Sequence, residues 1–285
     1  MTGLNSNQSS PRILAVANQK GGVGKTTTAI NLGTAMAAIG QCVLIIDMDP
    51  QGNASTGLGI AHDDRKISTF DVLMDPNIVT RSLLATAVPG LLLMPSTLDL
   101  LGVENELANT PDRSFRLKQA IELIKNVQVN TGAATKPFDY IIIDCPPSFN
   151  LLTINAMAAA QSVLVPVQAE FFALEGLSQL TNSIEEFRKL LNPTLEILGI
   201  VLTMVDERTK LSKTVAAEVA SVFGDKLFTS VIPRNVSVSE APSFGKPVLL
   251  YDLQASGSKA YIELAKEILQ NERGTEEPPA LRAVK

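Results

Sequence analysis

Short apolar runs alternate with amphipathic segments along most of the chain. The apolar runs are mostly continuous, which is typical of strands buried on both faces of a parallel sheet. Strands are predicted at Ile13–Ala17, Cys42–Ile46, Leu91–Met94, Tyr140–Ile143, Ser162–Val167, Ile197–Thr203 and Leu227–Ile232. Helices are predicted at roughly 25–39, 113–128, 174–191, 211–223 and 257–271, with a short helix near Thr69–Met74. This alternation predicts an α/β fold with a doubly wound, mostly parallel sheet and helices on both faces.

The pattern contains no internal repeat and no clear linker, so a single domain is the simplest interpretation. The polar residues 1–11 predict a disordered N-terminal tail. Residues 271–285 contain Glu276, Glu277, Pro278 and Pro279, and predict a disordered, largely acidic C-terminal tail. The domain is therefore expected to span residues 12–270.

Composition excludes several classes of protein. Hydrophobic residues make up 45% of the 285 residues, enough for a sizeable core, and the net charge of -5 argues against wholesale coating of nucleic acid. No long apolar stretch predicts a transmembrane helix, and the polar start lacks the features of a signal peptide, so we expect a cytoplasmic protein. Cys42 and Cys145 are expected to be buried thiols. With His62 as the single histidine, a multi-histidine metal site is improbable.

The candidate chemistry begins directly after the first predicted strand, where the run from Lys20 to Thr27 reads Lys-Gly-Gly-Val-Gly-Lys-Thr-Thr. A glycine-rich loop between a strand and a helix N-terminus binds phosphate through its backbone N–H groups. Lys25 can neutralise the β- and γ-phosphates, the Thr26 hydroxyl can ligate Mg²⁺, and Thr27 can reach the α-phosphate. The candidate nucleotide-binding residues of this loop are Gly21, Gly22, Val23, Gly24, Lys25, Thr26 and Thr27.

This loop departs from the usual pattern G-x-x-x-x-G-K-[ST], because Gln19 stands at the first glycine position. A second lysine, Lys20, lies five residues before Lys25. Lys20 is either a solvated charge or a group that touches phosphate bound to a neighbouring subunit.

Two acidic strand ends complete the candidate site. Asp49 follows the second strand, and Asp144 ends the apolar run Tyr140–Asp144. The carboxyl ends of parallel strands face the ligand crevice. Asp49 could therefore orient the attacking water or act through the metal, and Asp144 could hold a metal-bound water. The candidate catalytic residues are Lys20, Lys25, Asp49 and Asp144, and the candidate residues near Mg²⁺ are Thr26, Asp49 and Asp144.

Several separated motifs carry a family resemblance. The run Lys20–Thr27 is a deviant Walker A box, and with Asp47–Asn53 and Asp144–Ser148 the chain resembles the ParA/Soj chromosome- and plasmid-partitioning ATPases. The same order of motifs continues in Leu151–Ala156, Ala173–Ser178, Ile232–Val236 and Ser239–Pro247. The resemblance covers roughly residues 12–270 and implies a phosphate-binding-loop ATPase fold.

The resemblance also implies an activity cycle. Such proteins hydrolyse ATP to ADP with Mg²⁺ and close into an ATP-dependent homodimer, in which Lys20 matches the lysine that reaches the partner's nucleotide. Asp49 matches the aspartate linked to hydrolysis, and Asp144 matches the switch aspartate near Mg²⁺. The ATP dimer binds DNA without sequence preference, and a ParB-type protein stimulates hydrolysis. A nucleoid-associated protein without a membrane partner is therefore expected.

The resemblance suggests further contacts near the late strand ends. Adenine is expected to lie against Met204 and the Pro233-Arg234-Asn235 turn. Arg208 matches a family arginine that is tied to DNA binding, whereas Ser237 stands where the family often has an arginine. The tentative DNA-binding residues are Arg208, Lys210 and Lys213. Between Glu185 and Ala260, nine basic residues balance nine acidic ones, so this region carries no net positive charge.

Alternatives remain within and outside this class. A MinD-like membrane cycler should end in a basic amphipathic helix, and an ATPase that positions another cargo would share the same chemistry. A redox ATPase like the nitrogenase iron protein would need cysteines placed to share an iron–sulfur cluster, and neither Cys42 nor Cys145 fits that placement. An ATP-using ligase such as a dethiobiotin synthetase would need a pocket for a small acid, for which no motif was found.

Overall fold

A computed structural model describes residues 10–131, 134–170, 173–206 and 208–273. The strands are β1 (Arg12–Val16), β2 (Val43–Asp47), β3 (Leu84–Ala85), β4 (Leu91–Met94), β5 (Val129–Asn130), β6 (Thr135–Lys136), β7 (Tyr140–Asp144), β8 (Ser162–Gln168) and β9 (Glu196–Thr203). The helices are α1 (Lys25–Ala38), α2 (Asn53–Gly57), α3 (Thr69–Met74), α4 (Val103–Glu106), α5 (Arg116–Ile124), α6 (Leu151–Ala159), α7 (Ala173–Leu190), α8 (Lys210–Phe223), α9 (Val236–Glu240), α10 (Val248–Tyr251) and α11 (Ser256–Arg273).

The main sheet has seven strands in the order β3-β4-β2-β7-β1-β8-β9, and only the short edge strand β3 is antiparallel. The mostly parallel, doubly wound sheet predicted from the sequence is confirmed. The strand that leads into the phosphate loop, β1, lies beside β7, and β7 lies beside β2. This order brings the predicted acidic strand ends next to the loop.

Both faces of the sheet are buried. In β2, Leu44 and Ile46 pack into one apolar layer, while Val43 and Ile45 pack into the other. Successive side chains of a strand point to opposite faces, so a strand that is apolar at every position has a helical layer on each side. Residues of α5, α6, α7 and α8 lie in the first layer, and residues of α1 and α11 lie in the second.

One predicted strand is wrong. The segment Leu227–Ile232 forms no named strand. An isolated bridge pairs Leu227 with Ile200, and the N–H groups of Phe228 and Ile232 donate to the carbonyls of Ile200 and Leu202 on β9, at 2.9 and 2.8 Å. The N–H groups of Thr229 and Ser230 donate to the carboxylate of Glu267 on α11, at 2.7 and 2.8 Å. The N–H groups of Thr229 and Ser230 therefore bond to helix α11 and not to β9. The hydrogen-bond ladder between this segment and β9 is interrupted at these two residues.

The predicted helices differ from the observed ones mainly at their ends. The predicted helix at 113–128 is a 3-10 turn at Arg113–Phe115 followed by α5. Helix α11 continues to Arg273, so its last turn enters the predicted tail. Residues 1–9 and 274–285, which hold most of both predicted tails, lie outside the described residues. Within the described ranges, no helix is both long enough and apolar enough to cross a membrane.

Candidate functional site

The phosphate loop is held open by the strands on either side of it. Gly22 and Gly24 have φ angles of 74° and 87°, a left-handed backbone that glycine adopts without strain. The Asn18 amide donates to the Pro166 carbonyl at 2.8 Å and accepts the Lys20 N–H at 3.0 Å. On the other side, the Thr203 hydroxyl donates to the Val23 carbonyl at 2.8 Å. The ends of β8 and β9 thus fix the loop that opens α1.

The two lysines of the loop have different surroundings. Lys25 is buried at 7% exposure, and its ammonium donates to the Lys20 carbonyl at 3.0 Å. Burial lowers the pKa of Lys25, and the nearby Asp144 carboxylate acts in the opposite direction. The side chain of Lys20 is half exposed and forms an ion pair with Glu170 at 2.9 Å. Lys25 is therefore held inside the loop, while Lys20 remains near the solvent.

Asp144 is the buried acid of the site. It ends β7 in register with Asp47 of β2, and both residues have no exposed surface. Neither carboxylate oxygen of Asp144 has a hydrogen-bond partner. Burial and the Asp47 carboxylate raise the pKa of Asp144, against the effects of Thr26 and Lys25. A buried carboxylate without donors, beside a threonine hydroxyl and a lysine, suits a hydrated divalent cation.

Asp47 and Asp49 have separate tasks in the same loop. Asp47 accepts the Ser55 N–H and hydroxyl at 2.8 and 2.7 Å, and it also accepts the Asp49 N–H at 3.2 Å. Burial raises the pKa of Asp47 to about 6, and the bonds from Ser55 oppose that rise. Asp49 is only half-buried, so its side chain reaches the surface of the site. Asp47 is consequently a structural anchor, and Asp49 is the accessible acid.

The residues suggested for adenine lie together. Met204, Pro233, Arg234 and Asn235 line one pocket, which also includes Gly24 and Thr27 of the phosphate loop. Met204 is the one non-glycine residue of the described chain with a positive φ, at 52°. Strain of this kind clusters at ligand sites. The residues suggested for the base therefore adjoin the phosphate loop.

Tyr261 of α11 lines the same pocket, and the sequence reasoning did not single it out. Its hydroxyl lies 3.4 Å from the hydroxyl of Thr28 on α1, and both side chains are buried. At the other end of α11, Glu272 accepts a hydrogen bond from Arg12 at 2.9 Å and another from the Tyr140 hydroxyl at 2.5 Å. The last helix is thus fastened to α1, β1 and β7.

The tentative DNA-binding residues follow the carboxyl end of β9. Arg208 has an 89% exposed side chain and binds both carboxylate oxygens of Asp206, at 2.8 and 2.7 Å. This pairing lowers the pKa of Asp206 to about 2. Lys210 and Lys213 are exposed on the first turn of α8, and Ser237 donates to Asp252 at 3.3 Å. Asp206, the partner of Arg208, lies close enough to Arg234 of the pocket for the two charges to interact.

Metal clusters and reactive thiols find no support among the described residues. They contain no group of three or more His, Cys, Asp and Glu side chains that could hold a metal ion. A cation near Thr26 and Asp144 would therefore depend on phosphate and water for its other ligands. Cys42 and Cys145 are free and fully buried, which does not suit a cluster shared across a dimer.

Known proteins are similar to nearly the whole chain. An AAA-domain family model matches residues 11–197. The chromosome partitioning protein ParA of Caulobacter vibrioides is 58% identical over 262 residues, which cover 92% of this chain and 95% of that protein. The sporulation initiation inhibitor protein Soj of Bacillus subtilis is 50% identical over 260 residues, covering 91% and 99%.

Solved structures share the fold at lower identity. Cobyrinic acid a,c-diamide synthase from Mycobacterium smegmatis, with bound ATP analog and magnesium, has a TM-score of 0.79 at 34% identity, covering 95% of this chain and 98% of that one. The Cyanothece McdA(D38A)-ATP complex has a TM-score of 0.78 at 25% identity, covering 92% and 97%. Identity is thus much higher to the partitioning proteins than to these neighbours. With the phosphate loop between β1 and α1 and acids at the ends of β2 and β7, the chain belongs to the ParA/Soj family of chromosome-partitioning ATPases.

Proposed function

We propose that this chain binds ATP with Mg²⁺, closes into a homodimer that binds DNA without sequence preference, and hydrolyses ATP faster when a ParB-type protein engages it. The observation that carries the proposal is the convergence of Lys25, Asp49 and Asp144 at adjacent strand ends. The 58% identity to a chromosome partitioning protein over 92% of the chain supports the cargo class. One structural neighbour holds an ATP analog with magnesium and another is a complex with ATP, which supports the cofactors.

In this scheme the loop from Gly21 to Thr27 binds the phosphates through backbone N–H groups, and Lys25 neutralises their charge. Thr26 and Asp144 are the residues that would hold Mg²⁺, in part through water, and the ion would supply positive charge next to the phosphates. Asp49 orients the attacking water. Met204, Pro233, Arg234 and Asn235 bind the base. Positioning and charge neutralisation account for most of catalysis in phosphoryl transfer.

Lys20 is assigned to the partner's nucleotide in the dimer. Its ion pair with Glu170 lies at the surface, with side-chain exposures of 44% and 45%. Exposed pairs of this kind contribute little, at most about 1 kcal/mol, so Lys20 is free to exchange Glu170 for a phosphate. Arg208, Lys210 and Lys213 are assigned to DNA phosphates, which implies nucleoid association inside the cell.

The test measures ATP hydrolysis by the full chain with mixed-sequence DNA, with and without a ParB-type protein from the same genome. We expect slow basal turnover and stimulation only when DNA and the partner are both present. DNA binding should require ATP and weaken steeply as salt rises, because phosphate contacts release counterions. Equal DNA binding with ATP and ADP would contradict the proposal. Co-sedimentation with liposomes in ATP would favour a MinD-like cycle instead.

A further inference from the structure

The loop that carries Asp49 is closed by a ring of buried hydrogen bonds. We define the Asp47–Ser96 ring as Asp47, Asp49, Ser55 and Ser96. The Ser55 hydroxyl donates to Asp47 at 2.7 Å and accepts the Ser96 N–H at 3.0 Å. The Ser96 hydroxyl then donates to the Asp49 carbonyl at 2.5 Å. The Asp49 N–H donates back to Asp47 at 3.2 Å, which completes the circuit.

The ring is sealed from solvent except at Asp49. Asp47, Ser55 and Ser96 have no exposed surface, whereas Asp49 is half-buried. Hydrogen bonds between buried groups are costly to leave unmade, since a bare donor or acceptor has no water to replace its partner. The main chain on both sides of the Asp49 side chain is therefore held by buried groups, and only the side chain projects into the site.

Two further contacts support Ser96 from outside the ring. Ser96 follows β4, which pairs with β2 up to the Ile46–Met94 position. Arg65 donates to the carbonyls of Ser96 and Gly52, at 3.2 and 3.4 Å. The Thr69 hydroxyl donates to the carbonyls of Asp47 and Pro95, at 2.9 and 3.1 Å. The end of β4 is thus held against the end of β2, and the Ser96 hydroxyl stays bonded to the Asp49 carbonyl.

We infer that Ser96 is a positioning residue for ATP hydrolysis, which acts through Asp49 by holding its carbonyl and hence the direction of its carboxylate. Ser55 supports the same position from the opposite side of the ring. This inference rests on the proposed role of Asp49. Neither serine touches the phosphate loop, so the effect of their removal falls on turnover and spares nucleotide binding. A small displacement of a catalytic group lowers the rate steeply.

The experiment compares Ser96→Ala with Ser82→Ala in the full-length protein. Ser82 is a matched control, because it is also fully buried and its hydroxyl donates to a main-chain carbonyl, that of Val79, at 2.7 Å. We expect Ser96→Ala to lower kcat for ATP about tenfold, because the Asp49 carboxylate is then no longer held in its productive direction. Its affinity for a fluorescent ATP analogue should stay within about twofold of the unsubstituted protein's. Ser82→Ala should keep kcat.

Thermal unfolding separates positioning from simple loss of stability. Both variants lose one buried hydroxyl, so we expect similar decreases in Tm. If kcat of Ser96→Ala equals that of Ser82→Ala, or if ATP affinity falls as far as kcat, the inference is overturned. Should Ser96→Ala fail to fold, Ser55→Ala decides by the same criteria. An unsubstituted protein that does not hydrolyse ATP would instead overturn the proposed function.

Discussion

The nucleotide-binding edge of the sheet and the surface that carries Arg208 are built in opposite ways. At the edge, Lys25, Asp47 and Asp144 are buried, and strand register places Asp47 beside Asp144. On the surface, Arg208 is 89% exposed and has Asp206 as its ion-pair partner. Burying a charge costs free energy unless the charge is paired or hydrogen-bonded, whereas exposed charges contribute little to stability and can be substituted at low cost. The contrast explains why the nucleotide-binding edge can be identified from sequence motifs. Binding of DNA by the Arg208 surface depends instead on the net charge of many exposed residues.

The largest effect should come from Lys25→Ala. Loss of a buried cation from a phosphate site costs on the order of 3 kcal/mol, or about a hundredfold in affinity. A titration with a fluorescent ATP analogue measures the change. The exposed Lys66→Ala serves as the control and should bind normally. Unchanged ATP affinity in Lys25→Ala would show that the buried lysine does not bind the phosphates.

Asp49→Ala should abolish most turnover and preserve nucleotide binding, because the accessible acid is separate from the buried anchor Asp47. We expect an ATP dimer that persists in size-exclusion chromatography. The surface acid Asp99 provides the control, and Asp99→Ala should hydrolyse ATP normally. Normal hydrolysis by Asp49→Ala would show that the assigned role is wrong.

Lys20→Ala should bind ATP but fail to dimerise. The variant loses only an exposed ion pair inside the monomer. Its free energy of unfolding should therefore fall by at most about 1 kcal/mol, and its Tm should change little. Glu170→Ala removes the other half of the pair and should still dimerise with ATP. Equal loss of the dimer in both variants would assign the effect to the ion pair instead of the partner's phosphate.

Arg208→Ala tests the exposed side of the comparison. Removing one phosphate contact should lower the salt dependence of DNA binding by about one unit of the log–log slope. ATP affinity should not change, since Arg208 lies outside the base pocket. The exposed Arg81→Ala is the control for loss of charge alone. If the two variants bind DNA alike, Arg208 makes no specific contact.

The smallest effect is expected from Ser237→Arg, which places an arginine where the family resemblance predicts one. One added phosphate contact should steepen the slope of log affinity against log salt concentration by somewhat less than about one unit. The gain is reduced because Asp252 lies next to position 237 and competes for the arginine. Ser221→Arg adds the same charge on the exposed face of α8. Equal gains in both variants would point to net charge alone.

The sequence predicted the phosphate loop and its neighbours well because their positions follow from general rules. A loop after β1 and acids after β2 and β7 must meet at the carboxyl edge of a parallel sheet. The suggested base-binding residues also share one pocket. Their chemical roles remain predictions that the experiments above address.

Other features depend on contacts between distant parts of the chain. Ser96 and Asp49 are 47 residues apart, and no periodicity connects them. Helix α6 has buried residues around its circumference, so it lacks the amphipathic pattern that identifies a helix. The segment 227–232 has the composition of a strand, but the Glu267 carboxylate takes two of its donors. Tertiary contacts decided each of these cases.

The attachment of α11 to α1 has a consequence for how the protein is made. Translation produces the phosphate loop and its helix long before the partner helix that carries Tyr261. Until Ser256–Arg273 leaves the ribosome, the apolar side of α1 that it covers stays open to water and to chaperones. The nascent chain therefore holds the complete Walker motif long before Tyr261 closes the neighbouring pocket, and a ribosome that stalls before Ser256 would leave a protein without that wall of the pocket.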